Sequence, residues 1–107
     1  MELTQSELLE VNLVGKEESI TIDSDDKVEE IMKALSSNTR RRILRQIKIE
    51  PADVSKIASD LEMTEANISA QIKKLDKAGL IICEYSSGAH GVRKISRLRY
   101  KKLLIKF

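Results

Sequence analysis

Ala66, Asn67, Ala70, Lys73 and Lys74 are spaced so that a single helix would turn all five away from Ile68, Ile72 and Leu75, with Gln71 on the shoulder between the two sides. At about 100° per residue the three apolar side chains share one face, and the polar and small ones cover the opposite side. Asparagine and glutamine carry a donor and an acceptor in one plane, which is the pattern that pairs with the edge of adenine in a major groove. Ala66 and Ala70 let a backbone come close and can touch a thymine methyl. Lys73 and Lys74 can reach phosphates, and so can Thr64 with the free amides of the helix start. Bond-making chemistry lacks its parts. The chain has one histidine, His90, one cysteine, Cys83, and no glycine-rich phosphate loop, so no enzyme, cofactor or metal site is expected. Cys83 excludes a disulfide framework and reads first as a small apolar strand residue, with a thiol switch as the competing role.

The recognition segment needs a partner helix and a support. Val54, Ile57, Ala58 and Leu61 follow the i, i+3, i+4, i+7 pattern, predicting a helix near 52–60 after Pro51. Leu61-Glu62-Met63-Thr64 joins it to a helix over 64–78 that ends at Lys77-Ala78-Gly79. Two short helices linked this closely make a helix-turn-helix. Val28, Ile31, Met32 and Leu35 predict an earlier helix behind acidic caps, and Ile43, Leu44 and Ile47 another that starts near Ser37. Beyond Gly79 the pattern turns β-rich. Residues 80–85 and 92–95 flank the turn cluster 86–91, which predicts a hairpin wing over about 80–96, and 103–107 form a closing strand. Arg93, Lys94 and His90 stand at the wing, where bases can lie along the backbone or enter a minor groove. Residues 8–14 and 18–22 around Gly15-Lys16 predict a strand pair, with helix competing over 4–10. The fold class is therefore α+β, mainly α: a winged helix-turn-helix with extra terminal strands.

The formal charge of +2 hides an asymmetry. Residues 1–30 hold ten acids against two bases, whereas residues 31–107 hold seven acids against seventeen bases. A polyanion is the expected partner of the basic part. Some of Arg40, Arg41, Arg42 and Arg45 are expected to pair with acids such as Glu29 and Glu30. Apolar residues make up 41%, enough for one modest core. No apolar run reaches membrane-spanning length and no leader pattern stands at the start, so the expected location is the cytoplasm.

Residues 33–44 (KALSSNTRRRIL), 54–61 (VSKIASDL) and 68–81 (ISAQIKKLDKAGLI) resemble the ArsR-type winged-helix repressors. The likeness covers about residues 28–95, and 88–107 looks like an archaeal branch of that family. The resemblance implies a homodimer on a pseudo-palindromic operator. It also places Asn67, Ala70 and Gln71 in the base-reading part of the recognition helix, with Ser69 beside them. Family sensors bind metal through cysteines of the third helix or acids and histidines of a late helix. Neither set is present here. Glu62 stands where the family often has glycine.

A sequence-specific regulator of double-stranded DNA is thus expected, with residues 25–107 as the DNA-binding unit. Residues 1–24 would be an extension packed on it or on a dimer interface, and the effector is undefined. The alternative is a winged-helix module that binds protein within the transcription machinery.

Overall fold

The computed structural model describes residues 9–88 and 91–107. His90, and most of the region where helix competed with strand (residues 4–8), lie outside the described residues; Glu10 opens a strand. The order is β1 (Glu10–Val14), β2 (Ser19–Ile22), α1 (Asp25–Leu35), α2 (Asn38–Ile49), β3 (Ala52–Asp53), α3 (Val54–Leu61), α4 (Glu65–Lys77), β4 (Ile81–Gly88), β5 (Gly91–Leu98) and β6 (Lys102–Lys106).

The helices form where the apolar spacing placed them; the first starts after Ser24 with no side-chain cap, its acids Asp25 and Asp26 standing in the first turn, whereas side chains cap the others. Ser37 accepts from the Arg40 amide at the start of α2, and Thr64 accepts from the Asn67 amide at 3.1 Å at the start of α4. Each cap satisfies one of the amides that have no partner within their helix. Gly79, at φ +78°, turns the chain out of α4 in the left-handed conformation that glycine adopts at least cost.

The helix expected near 52–60 begins later, at Val54. Ala52 and Asp53 pair with Ser96 and Ile95 of β5 and become a short strand instead. The backbone after Pro51 gains ladder partners there that a first helical turn would lack. Asp53 then caps α3 by accepting from the Lys56 amide at 2.9 Å. The wing is also longer than its composition suggests. β4 and β5 pair from Ile81↔Leu98 to Gly88↔Gly91, so Ser86, Ser87 and Gly88 belong to a strand. Serine and glycine tolerate an exposed strand once a partner ladder is available.

Two three-stranded sheets flank the helices, ordered β3-β5-β4 and β2-β1-β6. The second joins the N-terminal strand pair to the closing strand, with Leu13 opposite both Ile20 and Leu103. Val11 and Leu13 bury themselves against the same core as Val28, Ile31, Ile43, Ile57, Ile68, Ile72 and Leu75. That core is the rigid back against which α4 is mounted.

Candidate nucleic-acid interface

α3 and α4 meet through Glu62 and Met63. Glu62 sits at φ +56°, ψ +47°, and its amide is received by the carbonyl of Ser59 at 3.3 Å. The turn thus takes the left-handed geometry that glycine usually supplies, here with a side chain in place. Met63 returns its amide to Ala58 at 2.9 Å, which closes the end of α3.

On α4, Ile68, Ile72 and Leu75 are fully buried, at 0%, 1% and 0% exposure. Ala66, Asn67, Ala70, Lys73, Lys74 and Lys77 are exposed on the outer side. Thr64 is exposed at the helix start, while Ser69 and Gln71 are half-buried on the shoulders. The structure therefore brings Thr64, Asn67, Ala70, Lys73 and Lys74 onto one accessible surface. Gln71 lies at its edge, with its amide committed on both sides. Its Nε2 donates to Asn67 Oδ1 at 3.0 Å, and its Oε1 accepts from Arg40 at 2.7 Å.

Arg40 is the residue that sequence reasoning misplaced. Its Nε donates to the carbonyl of Ala34 at 2.7 Å, and a terminal nitrogen donates to that of Lys33 at 2.9 Å. Arg41 donates to the carbonyl of Leu35 at 2.8 Å. These guanidinium groups close the C-terminus of α1, where carbonyls lack partners and the helix dipole favours a cation. The expected partners Glu29 and Glu30 bind Lys33 at 2.9 Å and Lys27 at 3.3 Å instead. Those lysines are one turn away on the same helix, the spacing at which side chains of one helix meet. The only sequence hint of the Arg40 role was its place six residues beyond Ala34, just past a helix end.

The wing is also anchored. Arg93 pairs with Asp53 at 3.3 Å, so the cap of α3 and the wing are tied together. Lys94 is half-buried, and Arg97 donates to Glu84 across the hairpin at 2.8 Å. That hydrogen bond and the charge of Arg97 hold the Glu84 carboxyl below its usual range. Cys83 is half-buried, with Sγ 3.6 Å from Ser96 Oγ. No group of three or more metal-ligating side chains occurs among the described residues.

Comparison with known proteins shows what this arrangement is similar to. Residues 37–82, from the cap of α2 through α4 to the start of the wing, match the model of the bacterial regulatory proteins of the arsR family. Over those residues the chain is similar to the ArsR-family helix-turn-helix domain. One solved relative of that domain is a fragment from Mycobacterium bovis, described as the homodimeric winged helix-turn-helix DNA-binding domain of a possible ArsR-family transcriptional regulator. It is 27% identical with a TM-score of 0.61, and the match spans 68% of this chain and 64% of that one. A crystal structure of the same fragment gives 27% identity and a TM-score of 0.60, over 68% of this chain and 74% of that one. HlyU from Vibrio cholerae shares the fold, with 23% identity and a TM-score of 0.55 over 68% of this chain and 75% of that one. No curated protein matches the chain in sequence. By the similarity to the ArsR-family domain, α4 stands where such domains have their recognition helix, and the β4–β5 hairpin stands where they have the wing. No helix among the described residues is long and apolar enough to cross a membrane.

Proposed function

We propose that this protein is a dimeric, sequence-specific regulator of transcription acting in the cytoplasm, with α4 in the major groove of double-stranded DNA. The observation that carries the reading is the α4 surface: Asn67 and Ala70 exposed and flanked by Lys73, Lys74 and Lys77, above a helix face that is wholly buried. Asn67 and Gln71 read bases, with Ala70 and Ser69 beside them. Thr64, Lys73 and Lys74 hold phosphates, as do Arg93, Lys94 and His90 on the wing. Residues 25–107 form the DNA-binding unit, and the strands within 1–24 serve the dimer contact. Ile20, Leu104 and Ile105 on the terminal sheet are 38%, 49% and 43% exposed, which supports a contact there.

Selection of bound sequences from a random duplex pool, followed by titration at several salt concentrations, tests this function. Enrichment of an inverted repeat and a steep loss of affinity with salt are expected. Asn67→Ala should relax base preference, whereas Lys74→Ala should weaken all sequences equally and lower the salt slope by about one. No enriched sequence together with no salt-dependent binding would overturn it.

A further inference from the structure

We infer that the groove between α2 and the β5–β6 connection is a binding site for a small amphipathic anion, a carboxylate on an apolar chain. The groove encloses about 460 Å³, within the range of small-molecule sites. Its floor is apolar, with Leu35 and Leu44 from the helices, Leu98 from the end of the wing, and Leu13 and Leu103 from the terminal sheet. Its rim is cationic, formed by Arg45, Lys48, Lys101 and Lys102, and no acid lines it. None of these four cations has an ion-pair partner among the described residues. An apolar surface rimmed by one sign of charge fits a ligand that is greasy at one end and negative at the other.

Tyr100 adds a separate observation. It lines the same groove at 7% exposure, and its hydroxyl is buried with no hydrogen-bond partner among the described residues. A buried hydroxyl without a partner costs stability, and a ligand oxygen that accepts its proton removes that cost. The Arg99 guanidinium stacks 5.3 Å from the centre of the same ring and holds it in place. The groove lies apart from the exposed face of α4, so its ligand and DNA need not compete for the same atoms.

Calorimetric titration of the full chain with sodium decanoate, decanol and decylamine tests the site in the absence of DNA. Its failure is therefore distinct from a failure of DNA recognition. Decanoate is expected to bind one per chain, with decanol at least tenfold weaker and decylamine not detected. Tyr100→Phe keeps the ring and should weaken decanoate about tenfold and decanol by less, since an alcohol oxygen is the weaker acceptor. Lys48→Gln should weaken decanoate alone. In methyl NMR spectra decanoate should shift Leu44, Leu98 and Leu103 first. The inference is overturned if decanoate does not bind, if decanol binds as well, or if the shifts fall elsewhere. It is equally overturned if nuclear Overhauser contacts in the free protein show those leucines covered by residues 1–8 or by a second copy.

Discussion

Replacing Arg40 with alanine removes three hydrogen bonds at once. Two close the C-terminus of α1 at 2.7 and 2.9 Å, and the third holds Gln71 at 2.7 Å. A hydrogen bond from a charged donor is worth about 1.5–3 kcal/mol when its partner cannot turn to water. Here the Lys33 carbonyl is exposed and regains water, while the Ala34 and Gln71 contacts are partly buried. Alanine returns a few tenths of a kcal/mol in helix propensity, and the Ser37 cap survives because it binds the backbone amide of residue 40. The net expectation is a loss of about 2.5 kcal/mol, or a fall in melting temperature of roughly 10–20 °C for a domain of this size. Urea unfolding followed by circular dichroism measures it. Arg40→Lys should recover less than half, because an ammonium group cannot fork toward three acceptors. A double-mutant cycle with Gln71→Ala should give a coupling of about 1 kcal/mol. A loss below about 0.5 kcal/mol, or no coupling, would refute the link between the end of α1 and the recognition helix.

Glu62→Gly removes the steric cost of a side chain at φ +56° and should raise stability by about 0.5 kcal/mol after the added chain entropy of glycine; a urea midpoint that falls would mean that the turn carries less strain than that entropy cost. Ile68→Ala, at a fully buried position under the recognition face, should lower stability by about 2–5 kcal/mol, read from the same unfolding curves. Arg97 depresses the Glu84 carboxyl through its hydrogen bond and its charge. The stability from that pair is therefore present above the ordinary carboxylate range and lost as pH falls through the depressed value. Both partners are exposed, so the effect is small: between neutral and acid pH, wild type should lose slightly more stability than Glu84→Gln, and equal losses would show that the pair contributes nothing.

What was legible in the sequence is what neighbours along the chain decide. Ile68, Ile72 and Leu75 mark the inner face of α4 by spacing alone, and Thr64 and Gly79 mark its ends by residue type. The hidden parts depend on distant partners. Ala52 and Asp53 look like the first turn of a helix until β5, more than forty residues later, offers them a ladder. β1 finds its second partner in β6, at the far end of the chain, and no local pattern announces that pairing. Glu62 by its residue type disfavours a left-handed turn, and only the glycine often found at that place in the resembled family hints at one.

Arg40 and Gln71 stand thirty-one residues apart, and their contact changes what the recognition face presents. Each side-chain amide offers two N–H donors and two lone pairs on oxygen. Gln71 gives one N–H to Asn67 and takes one from Arg40, which leaves one donor and one acceptor. Asn67 uses one lone pair for Gln71 and one N–H for the sulfur of Met63, at 3.8 Å, so it keeps the same remainder. One donor and one acceptor in a plane is the complement that adenine requires. The internal hydrogen bonds therefore hold both amides and leave each a donor and an acceptor; if these two side chains read bases as proposed, much of their order is in place before DNA arrives.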